Sequence, residues 1–156
     1  MPTIEGQWRL CGASPRIGVI VSRFNQNVSE ALLRGALETL ARVNFRQESI
    51  DVIWVPGAFE IPGVARRALS HYDALITLGA VIRGETPHFD YVSGAVAQGV
   101  AELARQGEKP VIFGVLTCNT VDEALSRAGG KNGNRGQDCA LAAIEMISLY
   151  QRLSGA

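Results

Sequence analysis

The amino-acid sequence predicts an α/β protein: a three-layer α/β/α sandwich on a four-stranded parallel sheet, with one additional N-terminal strand. Three observations carry this. Four short apolar runs, Ile17–Val21, Ile50–Val55, Ala74–Ile82 and Val111–Leu116, are mostly unbroken rather than alternating, as in strands buried on both faces. Each run is followed by a turn and a helical stretch, giving the order βαβαβαβα with right-handed crossovers. The chain of 156 residues, 47% apolar and 19% charged, suffices for one core and shows no repeats, linkers or low-complexity tracts. Residues 1–156 are therefore expected to form one domain, with residues 1–14 as a strand or arm.

The elements follow in order. Thr3-Ile4-Glu5-Gly6-Gln7-Trp8-Arg9-Leu10 alternates polar and apolar apart from Gly6, a half-buried strand pattern that Cys11-Gly12-Ala13-Ser14-Pro15 ends. This strand has no neighbour in sequence and exposes Trp8, so it is expected to join the sheet edge of a neighbouring subunit. Asn27-Val28-Ser29-Glu30 and Thr120-Val121-Asp122-Glu123 both have capping-box spacing. Leu32, Leu33, Ala36, Leu37 and Leu40 form the apolar face of the first helix. Pro62 suits a first helical turn, where its missing N–H is not needed. The third helix is rich in small residues between Gly94 and Ala104; each internal glycine costs about 1 kcal/mol relative to Ala, which close helix approach offsets. Ordinary packing on the sheet is the alternative for both this helix and the N-terminal strand. A last helix is predicted from about Asp138, with Ile144, Ile147 and Leu149 on it.

Several classes of function are excluded or disfavoured. Fifteen basic side chains balance fifteen acidic ones, without the cationic surplus that binding nucleic acid or a polybasic hold on a membrane needs. No apolar run reaches the roughly 18 residues of a membrane span, and no signal-peptide pattern opens the chain. Cys11, Cys118 and Cys139 are an odd number without metal-ligand spacing, so no metal and no disulfide framework is expected. A reduced, soluble, cytoplasmic protein is the expectation. There is no GxGxxG after the first strand and no Walker A sequence.

In open parallel sheets ligands bind beyond the carboxyl ends of the strands, here Ser22–Asn27, Pro56–Pro62, Ala80–His88 and Thr117–Thr120. Phe24 can stack on a flat heterocycle, or fold back over the core. In Pro56-Gly57-Ala58-Phe59-Glu60-Ile61-Pro62, Gly57 permits close backbone approach, and Glu60 either favours the helix dipole or accepts hydrogen bonds from polyol hydroxyls. Gly79-Ala80-Val81-Ile82-Arg83-Gly84-Glu85-Thr86-Pro87-His88 combines a glycine-bearing turn, a hydroxyl and N–H groups ahead of a helix, a ready anion site. Of the two histidines, His88 falls at that helix start while His71 falls at the opposite end of the sheet, so His88 is the candidate proton shuttle. Phe113 lies in the last strand, and Arg127–Gly136 is glycine-rich and cationic through Arg127, Lys131 and Arg135, suited to a phosphate or simply solvated. Lys109 and Lys131 are the only lysines, and Lys109 lies at the wrong end of the sheet, so an enzyme-bound Schiff base would fall to Lys131 alone. In carbonyl chemistry the amine more plausibly belongs to the substrate.

Taken together, Arg23-Phe24-Asn25, Pro56–Pro62, Gly84-Glu85-Thr86-Pro87-His88-Phe89-Asp90-Tyr91 and Arg127–Gly136 resemble the 6,7-dimethyl-8-ribityllumazine synthase family, in order and over essentially the whole chain. The resemblance implies a flavodoxin-like sheet and the penultimate step of riboflavin biosynthesis. That step condenses 5-amino-6-(D-ribitylamino)uracil with 3,4-dihydroxy-2-butanone 4-phosphate, without cofactor or metal. It implies that Phe24 stacks on the pyrimidine, that Ala58, Phe59 and Glu60 hold the ribityl side, and that Ala80, Val81 and Ile82 offer backbone to the pyrimidine edge. It further implies Phe113 from a neighbouring subunit, Glu85 and Thr86 as the phosphate-binding turn, His88 as the proton-transfer residue and Arg127 as a phosphate ligand across a subunit boundary. Arg135 stands where many relatives carry Lys, so a point charge becomes a planar fork. The implied partners are small-molecule substrates, four further copies in a homopentamer, and riboflavin synthase. The short Gly129–Gly136 loop looks more like that of members whose pentamers build icosahedral capsids. The rival readings are a non-catalytic flavodoxin-like module holding a flavin or nucleotide, and a lysine-dependent phosphosugar lyase or aldolase.

Overall fold

Apolar side chains at successive strand positions need cover on both sides, and the architecture supplies it. In the computed structural model, which describes residues 1–10 and 14–155, four parallel strands stand in the order β2-β1-β3-β4. They are β1 (Ile17–Ser22), β2 (Ile50–Val55), β3 (Ala74–Ile82) and β4 (Val111–Cys118). Ile17 is in register with Ile50 on one side and Ala74 on the other, and Leu75 with Val111. Helices α1 (Gln26–Arg42) and α5 (Arg135–Leu153) cover one face, against Ile17, Val19, Val21, Ile76 and Leu78. Helices α2 (Ile61–Ala68) and α3 (His88–Gln106) cover the other, against Ile20, Leu75, Val111 and Val115. The predicted three-layer α/β sandwich is thus the observed one, and each of the four apolar runs is a strand. Among the described residues, no helix is long and apolar enough to cross a membrane.

The order β2-β1-β3-β4 makes β1 and β3 neighbours whose following loops diverge, the point at which open α/β sheets form a crevice. Edge strands β2 and β4 have a neighbour on one side only. Between β4 and α5 the chain adds a short helix α4 (Val121–Ser126) and a small antiparallel hairpin, β5 (Ala128–Gly130) with β6 (Gly133–Asn134), which packs against α1.

Three local expectations differ from the structure. The capping box at Asn27 is not used, because α1 begins at Gln26 and its N-cap, Asn25, is left-handed at φ 59°, ψ 47°. The Asn25 side chain instead donates to the Ala80 carbonyl at 2.9 Å, so the helix start is set from across the sheet. Residues 128–134 form a hairpin rather than a loop; Gly129 (φ 112°), at a register shift in β5, and Gly133 (φ 78°), just after the turn, supply its left-handed backbone. The last helix starts at Arg135, ahead of Asp138, because Asn134 caps it, accepting from Gly136 N at 2.8 Å and donating to the Ala31 carbonyl at 3.1 Å. The segment 4–10, expected to pair with the sheet edge of a neighbouring subunit, forms no strand within the single chain. It lies along α5 instead, with Gln7 N donating to Ser148 Oγ at 3.2 Å and the Trp8 indole directed at Glu145. Cys11 and the turn at 11–13 lie outside the described residues.

The other capping box is formed: Thr120 Oγ1 accepts from Glu123 N at 3.1 Å, while the Glu123 carboxylate takes Asn119 N at 2.8 Å, one residue before the usual partner. Pro62 sits in the first turn of α2. Cys118 and Cys139 are free, buried thiols; burial pushes the Cys139 thiol up to about 12.

Candidate active site

The loops after β1, β2 and β3 enclose an open groove of about 590 Å³ at the carboxyl ends of the strands. Phe24 and Asn25 come from the first loop, and Gly57, Ala58, Phe59 and Glu60 from the second, where residues 58–60 form a single tight turn. Ala80, Val81 and Ile82 end β3, and Gly84, Thr86 and His88 follow on the way into α3.

Phe24 is 71% exposed, Phe59 60% and Tyr91 75%. Such rings are not folded over the core, which removes that alternative for Phe24 and leaves flat apolar faces turned to the groove. Glu60 is the N-cap of α2 but makes no capping hydrogen bond with its side chain. Its carboxylate turns back over Gly57, where a Cβ would stand 3.0 Å from Oε2. Gly57 has an ordinary extended backbone (φ −144°), so no left-handed conformation calls for glycine there, and a Cβ would press only on the movable end of the Glu60 side chain. Glu60 therefore offers acceptor oxygens at the groove wall, as binding polyol hydroxyls requires.

His88 is the first residue of α3, as the sequence indicates, and its backbone N–H is directed to Thr86 Oγ1 at 3.4 Å. Glu85 lies in the exposed bend between Gly84 and Thr86 and does not line the groove. His71 lies in the turn before β3, at the far end of the sheet, and Lys109 pairs there with Asp73 at 3.4 Å.

Phe113, Arg127 and Arg135 are elsewhere. They line a second hollow of about 400 Å³ along β4, with Thr117, Cys118 and Glu123. The two hollows share no lining residue. Arg127 Nη1 donates to the Glu123 carbonyl at 3.1 Å, and among the described residues Arg127 forms no ion pair with a carboxylate, leaving donors for an anion. Arg135 opens α5, where the helix dipole disfavours a cation, and Asp138 within 3.7 Å offsets that only in part. Burial pushes the Cys118 thiol up, against the lowering effect of Arg127, so it is a poor nucleophile beside this cation. Lys131 lines neither hollow.

Two further side chains shape the site without being marked as chemistry in the sequence. Asn25 ties the β1 and β3 loops; asparagine just before a helix, with its tolerance of left-handed backbone, is the available signal. Arg83 stands in the sequence only as one letter of the turn after β3. Its guanidinium lies 4.4 Å above the Phe89 ring, and its hydrogen bonds span two loops.

A family model described as 6,7-dimethyl-8-ribityllumazine synthase matches residues 14–151. The chain belongs to this family. Membership makes it a transferase of riboflavin biosynthesis of the lumazine synthase kind, acting on small molecules, and it agrees with the four-stranded parallel sheet between two helical layers. The matched span contains every element of the sheet and all the groove and hollow residues named above, and omits the N-terminal arm before residue 14.

Proposed function

We propose that the protein condenses 5-amino-6-(D-ribitylamino)uracil with 3,4-dihydroxy-2-butanone 4-phosphate to 6,7-dimethyl-8-ribityllumazine, releasing phosphate and water. The observation that carries this reading is the division of the candidate residues between two hollows with no residue in common. Half a site beyond the carboxyl ends of β1 and β3, and the other half along the open edge of β4, call for a second copy to complete each one. The working form is accordingly a homo-oligomer, a pentamer of single-domain subunits in the cytoplasm, with a capsid of pentamers as a further stage and riboflavin synthase as the consumer of the product.

In the groove, Phe24 stacks on the pyrimidine, the backbone of Ala80, Val81 and Ile82 reads its edge, and Ala58, Phe59 and Glu60 hold the ribityl chain. The neighbouring copy brings Phe113 over the bound ring and Arg127, with Arg135, to the phosphate, which Glu85 and Thr86 meet from this side. The substrate's own amine attacks the ketone, so no protein nucleophile is needed. Phosphate then leaves, an enol tautomerises and the ring closes, with His88 moving protons. Holding two reactants together lowers a barrier by roughly 7–11 kcal/mol at best, and one general acid–base adds about 10²–10⁴-fold. The test is to mix the purified protein with both substrates and follow the fluorescent lumazine alongside phosphate release. Binding of a flavin without product would favour the non-catalytic module instead. A solitary, folded subunit as active as the assembled form would overturn the shared site.

A further inference from the structure

The turn that delivers His88 is weakly held. A Cβ added at Gly84 would meet no atom within 4 Å, and Pro87, the N-cap of α3, makes no side-chain capping bond. The one side-chain tie inside the turn is Thr86 Oγ1 on the His88 N–H. Arg83 compensates from outside. Its backbone N–H donates to the Cys118 carbonyl at 2.9 Å, continuing the β3–β4 ladder by one residue. Its Nε donates to Asn119 Oδ1 at 3.0 Å and its Nη2 to Asp90 Oδ1 at 3.3 Å, while the guanidinium plane covers the Phe89 ring. Phe89 and Asp90 directly follow His88 in the same helical turn. One planar cation thus grips the first turn of α3 through a face contact and an edge contact, and fastens it to the loop after β4.

That loop leads to the second hollow. Asn119 N donates to the Glu123 carboxylate at 2.8 Å, and the Glu123 carbonyl accepts from Arg127 Nη1 at 3.1 Å. The two half-sites of one chain are therefore joined by Asp90, Arg83, Asn119, Glu123 and Arg127 in turn. A half-exposed ion pair contributes little to folding, so stability alone is a weak account of the arrangement. A fork that fixes direction is a stronger one, because a displacement of about 1 Å at a reacting group costs up to roughly 10²-fold in rate.

We infer that Arg83 is a positioning residue for the reaction, holding His88 at its working distance through Phe89 and Asp90. This rests on the proton-transfer role proposed for His88. The test measures product formation by the assembled protein for Arg83→Gln, His88→Ala and the double variant, with both substrates varied. Arg83→Gln should lower kcat by roughly 10- to 100-fold and leave KM for both substrates within about twofold. In the His88→Ala background the same change should cost less than about threefold, since there is no imidazole left to misplace. An unchanged kcat in Arg83→Gln overturns the inference. So does an equal loss with and without His88, which leaves the proposed reaction standing. Wild-type turnover in His88→Ala alone sinks the proton-transfer assignment instead, and Arg83 with it. If Arg83→Gln does not assemble, Arg83→Lys is read the same way: it keeps the charge but not the fork, and wild-type kcat in it overturns the inference.

Discussion

Asn25 stands in left-handed backbone at φ 59° and reaches across the sheet switch point to the Ala80 carbonyl at 2.9 Å. Two substitutions separate these contributions. Asn25→Gly removes the hydrogen bond but tolerates the backbone, so it should cost about 0.5–1.5 kcal/mol. Asn25→Ala loses the same bond and adds about 1–2 kcal/mol of left-handed strain on its Cβ. For a chain of this length each kcal/mol lowers Tm by roughly 2–4 °C, so Asn25→Gly should melt about 1–6 °C below wild type and Asn25→Ala about 3–14 °C below. The assay is thermal unfolding at one fixed subunit concentration, because assembly makes Tm depend on concentration. The same tie braces Phe24 against Ala80, so both variants should also raise KM for the pyrimidine substrate. Coincident melting of the two variants would refute the strain argument, and a wild-type Tm for Asn25→Gly would show that the Ala80 bond is idle.

On the proposed assignment, His88→Ala slows turnover by about 10²–10⁴-fold without abolishing it, because proximity remains; complete loss in a variant that still binds both substrates contradicts this. Arg127→Ala raises the apparent KM for the phosphorylated substrate, and an unchanged value, measured by product fluorescence, removes it from the phosphate site. Cys139 holds its proton to about pH 12 when folded but only to about 9 when unfolded, so its contribution is complete below pH 9 and is lost as pH rises towards 12. In that window stability should fall by about 1.4 kcal/mol per pH unit from this group, and Cys139→Ala should flatten the decline; equal slopes in chemical denaturation would contradict the linkage.

The strands were legible because a doubly covered strand must be apolar at consecutive positions, a rule visible in five or six letters such as Ile17–Val21. Glu60 and His88 were legible as helix-start residues because the turns around them carry Pro62 and Pro87. Asn27 misled because the capping-box spacing is local while the actual start of α1 is set by Asn25 bonding to Ala80, 55 residues away. For the segment 4–10, alternation describes what a strand needs, not which edge it pairs with; within one chain the segment lies along α5. The hairpin at 128–134 was hidden because its glycines serve a tight turn and a mobile loop equally well as letters.

The sequence by itself determined the four strands of the sheet and the helices between them, the three layers, the family and the residue types available for proton transfer and anion binding. These follow from periodicity, turn chemistry and motif spacing, all properties of neighbouring positions. Only the tertiary structure decided that Phe24, Glu60 and His88 share one groove while Phe113, Arg127 and Arg135 line another, and that Arg83 ties His88's helix turn to the loop after β4. The strand order β2-β1-β3-β4 determines which loops meet, and it arises from packing two apolar helical layers on a twisted sheet rather than from any short stretch of chain.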